Sequence, residues 1–76
     1  MKIKFDGDIN KVTHFVNLCT VFPEDIDVKS GRYIIDAKSL LGMCGICTMQ
    51  NLEVEIITND EFRKVLFREA IKEYLC

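Results

Sequence analysis

Hydrophobic and polar residues alternate in three short stretches of the chain, and a fourth contains the consecutive apolar residues Tyr33, Ile34 and Ile35, so the pattern predicts four strands. Every predicted strand has one apolar face, and in the alternating stretches the charged or polar residues lie on the other. The stretches are residues 1–6, 25–30, 32–36 and 52–57. The pair Ser30-Gly31 between the second and third stretches is a turn signal, so we expect these two strands to form a hairpin.

Two longer segments have the spacing of amphipathic helices. The first, residues 9–20, follows Asp8, a residue type that caps helix N-termini. Its buried stripe is predicted to be Val12, Phe15, Val16 and Cys19. The second, near the C-terminus, follows a capping-box spacing of Thr58 and Glu61. Its predicted buried stripe is Phe62, Val65, Leu66, Ala70, Ile71, Tyr74 and Leu75.

A short apolar segment, residues 39–44, predicts one further helix that begins at Ser39 or Asp36 as its cap and ends near Gly45. A phosphate group on Ser39 would lie at the positive end of the helix dipole, beside unpaired amide groups. The neighbouring Lys38 would partly neutralise the added charge.

The predicted order is therefore β-α-β-β-α-β-α, in a single domain that spans residues 1–76. Because every strand has one apolar face, we expect an α+β fold of the open-faced β-sandwich type. A four-stranded antiparallel sheet would carry three helices on one face.

Composition narrows the classes of function. The chain has 10 Lys+Arg and 12 Asp+Glu, a formal net charge of −2, and 49% hydrophobic residues, which is typical of a globular protein. Clustered basic residues, as nucleic-acid binding requires, are absent. No apolar run is long enough for a membrane span, and no secretory signal is present. We expect a soluble cytoplasmic domain, with no nucleic-acid partner, no membrane insertion and no cofactor.

Few residues suggest catalytic chemistry. His14 is the sole histidine and is expected on the solvent face of the first helix, without a neighbouring nucleophile. Cys44 and Cys47 form a CxxC pair near the end of a short helix, where the dipole opposes thiolate formation. A metal site would need two more ligands, such as Cys19 and Cys76. Packing, a redox pair and a metal site all remain open for these thiols.

The segment Ile35-Asp36-Ala37-Lys38-Ser39-Leu40-Leu41-Gly42-Met43 resembles the region around the regulatory serine of HPr, the histidine-containing phosphocarrier of the bacterial sugar phosphotransferase system. The predicted element order is also that of HPr, so the resemblance covers nearly the whole chain. It implies that Ser39 is a regulatory phosphorylation site. It also implies that Lys38, Leu40, Leu41 and Met43 belong to a protein-binding face.

The loop before the first helix departs from the family. HPr proteins carry the phosphoacceptor histidine there, with an arginine and a proline shortly after it, whereas this chain reads Gly7-Asp8-Ile9-Asn10-Lys11. The resemblance therefore implies a non-catalytic regulatory member of the phosphotransferase system, not an enzyme. Its partners would be phosphotransferase-system enzymes, a serine kinase or a transcription regulator in carbon catabolite control. Two alternatives stay open: a phosphocarrier that uses Asp8 or His14, and a thiol redox or metal protein.

Overall fold

The computed structural model describes all of residues 1–76, and its elements follow the predicted order. They are β1 (Lys2–Ile3), α1 (Ile9–Thr20), β2 (Ile26–Ser30), β3 (Tyr33–Asp36), α2 (Leu40–Ile46), β4 (Leu52–Ile56) and α3 (Glu61–Ala70), followed by a 3₁₀ helix (Lys72–Tyr74). None of the helices combines the length and the hydropathy that crossing a lipid bilayer requires.

The four strands form one sheet in the order β1-β4-β2-β3, and every neighbouring pair is antiparallel. The central register places Val28 opposite Val54 on β4 and opposite Ile35 on β3. One face of the sheet is apolar and buried, and the other carries charged side chains such as Lys29 and Glu55, which form an ion pair. This confirms the predicted four-stranded antiparallel sheet with helices on one side.

The first strand is shorter than predicted. Only Lys2 and Ile3 form a regular ladder with β4, although Phe5 is also buried as the alternating pattern predicts. Asp6 and Gly7 both have positive φ angles, 56° and 71°, and this left-handed pair turns the chain into α1. On its other side Ile3 pairs with Leu75, so the C-terminal residues lie along β1.

The first helix has the predicted bounds, and its predicted stripe is buried in full. Asp8 is the N-cap, because its carboxylate accepts a hydrogen bond of 2.9 Å from the Asn10 amide. Phe15 packs edge-on against Phe5 and Tyr74, with ring centroids 5.1 and 5.3 Å away. The helix is therefore anchored on the sheet and on the C-terminal segment at once.

The predicted buried stripe of the last helix is wrong over its first two turns. Phe62, Val65 and Leu66 are exposed, and Phe67, which was not in the predicted stripe, is fully buried. The chain carries apolar residues on two adjacent faces here, and the face beginning at Arg63 is the one turned inwards. The Arg63 guanidinium bonds to Glu24 at 2.7 Å and lies 5.4 Å above the Phe22 ring.

The predicted capping box is also wrong. Asp60 is the N-cap of α3, since its carboxylate accepts hydrogen bonds from the amides of Phe62 and Arg63. Thr58 instead accepts a hydrogen bond from the Asp60 amide, and Glu61 pairs with Lys64. A carboxylate one residue before the helix therefore caps it in place of the threonine.

The second helix packs closely against β3 and α1. It ends at Ile46, one residue later than predicted, and buries Met43 and Ile46. Gly42 permits the close approach, because a Cβ atom at this position would lie 2.7 Å from the Ile35 Cγ2 atom. Gly45, one turn later on the same helix, has no atom within 4 Å of the equivalent position.

We therefore expect opposite effects from alanine at the two glycines. Gly42→Ala introduces a clash with Ile35 that costs about 1–3 kcal/mol, which outweighs a gain of about 0.5–1 kcal/mol from helix propensity. Gly45→Ala retains only that gain and serves as the matched control. Urea unfolding of both variants measures the difference, and equal stabilities would contradict the packing described here.

Candidate functional site

Ser39 stands at the start of α2, where the structure resolves the choice of cap. Its hydroxyl oxygen accepts a hydrogen bond of 3.2 Å from the Gly42 amide, and its own amide donates to the Asp36 carbonyl at 2.9 Å. Asp36 instead accepts, through its carboxylate, a bond from the Lys38 amide. Ser39 is partly exposed, and its hydroxyl proton remains available to a base.

The apolar residues around Ser39 divide between surface and core. Leu41 is 89% exposed and Leu40 is 43% exposed. Met43 is fully buried among the core side chains, so its predicted place on the protein-binding face is wrong. The helical repeat explains the difference, because Met43 lies one turn after Ser39 on the face that α2 turns towards β3 and α1. We call Ser39, Leu40 and Leu41 the Ser39 surface.

Lys38, beside Ser39, has a partner within the protein that the sequence pattern did not reveal. Its ammonium group donates a hydrogen bond of 2.6 Å to the carbonyl of Phe22, which follows the end of α1. A cation at the carbonyl end of a helix is favoured by the helix dipole. Lys38 therefore joins the start of α2 to the end of α1.

The shape of this region suits a macromolecule better than a small ligand. The protein has three shallow depressions, and none is lined by Ser39, Leu40 or Leu41. Small-molecule sites are concave and enclose most of the ligand surface. The Ser39 surface therefore has no concave pocket that could enclose a small ligand.

Both carboxylates of the loop before α1 have partners within the protein. Asp8 is engaged as the helix cap, and the carboxylate of Asp6 lies 3.4 Å from the ammonium groups of both Lys4 and Lys11. The hydrogen bond from Lys4 is the main cause that holds the pKa of Asp6 below its ordinary value. This one carboxylate therefore offsets part of the positive charge of the two lysines.

His14 is exposed, as predicted, but it has two partners that the sequence pattern did not reveal. Its Nδ1 atom lies 2.7 Å from the Tyr74 hydroxyl and 3.4 Å from a carboxylate oxygen of Glu73. Burial, followed by the charge of Glu73, raises the pKa of Tyr74 to about 12, so the hydroxyl stays protonated near neutral pH. The hydrogen bond with Tyr74 thus occupies Nδ1 whichever partner supplies the proton.

The CxxC pair lies at the carbonyl end of α2. Cys44 is partly buried, and the thiol of the buried Cys47 donates to the Cys44 carbonyl at 3.3 Å. Burial raises the pKa of the more distant Cys19 thiol to about 12. Cys76 lies exposed at the C-terminus, and no three or more His, Cys, Asp or Glu side chains converge as a metal site would require.

This sheet order, with its helices on one face, defines an HPr-like fold and confirms the fold implied by the sequence resemblance. A solved structure similar to the chain is that of Crh, a catabolite repression protein of Bacillus subtilis, crystallised in selenomethionine form as an intertwined dimer with a swapped domain. The similarity has a TM-score of 0.62 at 18% sequence identity, and it covers 100% of this chain and 88% of the Crh chain. No protein-family model and no curated protein sequence matches the chain.

Substitutions at Ser39 separate its structural role from any signalling role. Ser39→Ala removes the acceptor for the Gly42 amide and is expected to lower the free energy of unfolding by about 1 kcal/mol. Ser39→Asp keeps a capping oxygen and should stay within a few tenths of the wild-type value, about 0.3 kcal/mol. Denaturant unfolding of the two variants tests this. A loss with Asp as large as that with Ala would show that the hydrogen bond to Gly42 does not cap the helix.

Proposed function

We propose that this protein is a non-catalytic regulatory module that binds other proteins through the Ser39 surface, and that phosphorylation of Ser39 switches this binding. The observation that supports this proposal most directly is the partly exposed Ser39 hydroxyl at the start of α2, beside two exposed leucines, in an HPr-like fold. The partners in this proposal are a serine kinase, a transcription regulator and phosphotransferase-system enzymes. The catabolite repression named for Crh is the kind of process that we propose for this chain.

The arrangement before α1 supports a role other than phosphate relay. A phosphohistidine carrier needs a free imidazole nitrogen beside groups that accept the charge of the phosphoryl group. In this chain the cap position holds Asp8, and the Nδ1 atom of His14 is bonded to Tyr74. One oxygen of the Asp8 carboxylate is used in the cap and the Nδ1 atom of His14 is used by Tyr74, so we infer that the chain acts as a regulator and not as an enzyme.

Phosphorylation would change the charge of the Ser39 surface strongly. In the proposed reaction the Ser39 Oγ atom forms a bond to the γ-phosphorus of ATP, its proton passes to a base of the kinase, and ADP leaves. The product carries about −2 added charge near neutral pH. The Lys38 ammonium is bonded to the Phe22 carbonyl and not to Ser39, and Asp36 adds a negative charge three residues before it, so one lysine offsets only part of the new charge. A partner with arginine side chains beside an apolar patch would discriminate between the two states.

Phosphorylation by an HPr serine kinase with ATP provides the direct test. We expect the intact mass to increase by one phosphate in the wild-type protein and not in Ser39→Ala. Ser30→Ala removes the chain's other serine, which is buried, and should still accept the phosphate. A wild-type protein that gains no phosphate, or a Ser39→Ala variant that still gains it, would contradict the proposed switch.

Docking of the same kinase tests the apolar part of the surface. Leu41→Lys places a charge in the centre of the proposed contact and should weaken binding by about tenfold or more. Val21→Lys is the matched control, because Val21 is 78% exposed and lies at the C-terminal end of α1, outside the Ser39 surface. Titration calorimetry compares the two variants, and equal affinities would place the contact elsewhere.

A further inference from the structure

The outer edge of the sheet is formed by β3, and its exposed side chains are unusual for an edge strand. Natural edge strands are commonly protected by lysine, proline or a bulge. This strand contains none of these residues. Ile34 is 63% exposed and Tyr33 is 56% exposed, so two large apolar side chains of this four-residue strand border solvent.

The backbone of this edge is also unpaired. The Ala37 amide bonds to the Ile26 carbonyl, and antiparallel ladders alternate, so Ile35 and Tyr33 are the β3 residues whose backbone groups face β2. The N–H and C=O groups of Ile34 and the N–H group of Asp36 therefore point away from the sheet. Only the Asp36 carbonyl has a partner on this side, the Ser39 amide.

The charges at the two ends of β3 are unpaired as well. Arg32 precedes the strand and Asp36 ends it, and neither side chain has an opposite charge within ion-pair distance in the protein. Asp36 also lies directly opposite Asp27 on β2, a like-charge pair that destabilises the sheet edge. A positive charge placed beside Asp36 would relieve this repulsion.

We propose that β3 pairs antiparallel with β3 of a second copy of this chain, in a register centred on Ile34. In this register the sequence Arg32-Tyr33-Ile34-Ile35-Asp36 is complementary to itself. Arg32 of each copy meets Asp36 of the other, and the outward N–H and C=O groups of the two Ile34 residues pair across the two-fold axis. Such an isologous contact closes after two copies and joins the two sheets into one.

A second copy of the chain is the partner that we propose for this edge, because this register pairs opposite charges with each other and apolar side chains with each other. Tyr33 lies opposite the partner copy's Ile35 on the inner face, and the two Ile34 side chains meet on the outer face. The contact borders the Ser39 surface, because the Ser39 amide is bonded to the Asp36 carbonyl at the end of β3. The area is small, so the association should be weak and depend on protein concentration.

Sedimentation equilibrium up to about 1 mM protein tests the pairing, since weak contacts need such concentrations. The wild type should form a reversible dimer. In Ile34→Glu, the two new carboxylates would meet at the two-fold axis of the dimer and repel each other. The fold of the monomer should tolerate the change, because Lys29 lies opposite position 34 on β2. We expect it to raise the dissociation constant by about tenfold or more. Val21→Glu, with the same change in charge at an exposed apolar site, should dimerise as the wild type does.

Amide hydrogen exchange identifies the edge directly. On dilution from the dimer to the monomer, the Ile34 amide should lose its protection, whereas the Ile35 amide, which is bonded within the sheet, should keep it. A wild-type monomer at all concentrations overturns the proposal. A dimer whose dissociation constant is unchanged by Ile34→Glu also overturns it, and so does a dimer in which the Ile34 amide is unprotected. A dimer formed by exchange of β1 would show both of these results.

Discussion

The close approach of α2 to the sheet at Gly42 and Ile35 determines how the rest of the surface is arranged. With no side chain on Gly42, the helix rests directly on β3 and turns Met43 and Ile46 inwards. The same orientation of α2 about its axis turns Leu41 outwards and leaves the Ser39 hydroxyl at the border between surface and core. A helix held further from β3 would lose this division, so one absent side chain separates the proposed contact residues from the packing residues.

Features that depend on neighbouring residues were predictable from the sequence. The strand alternation, the stripe of α1 and the Asp8 cap arise within a few residues, and each is present in the structure. The face of α3 was not predictable in this way, because apolar residues occupy two adjacent stripes and either could be buried. The buried face makes contacts with distant residues, such as the bond from Arg63 to Glu24, which spans 39 positions of the sequence. A similar argument applies to Asp60, which competes with Thr58 for the same cap.

In the candidate site, too, contacts between residues close in sequence were predictable, and contacts between distant residues were not. Ser39 could be recognised as a cap from its position before an apolar segment, and its hydrogen bond to Gly42 spans only three residues. The orientation of Lys38 could not, since its partner carbonyl is 16 positions away, and the contact of His14 with Tyr74 spans 60 positions. The periodicity of the sequence predicts which face of a helix or strand a residue lies on. It does not predict which residues of a neighbouring helix or strand that face contacts.

The anchoring of α2 has a consequence for its motion. This seven-residue helix is attached through two buried side chains of its own, whereas the central strands are each paired on both sides. Segments with few buried apolar contacts open locally at a fraction of the free energy of global unfolding. The region that presents the serine can therefore open locally while β2 and β4 remain paired, at a lower free energy than separating those two strands requires.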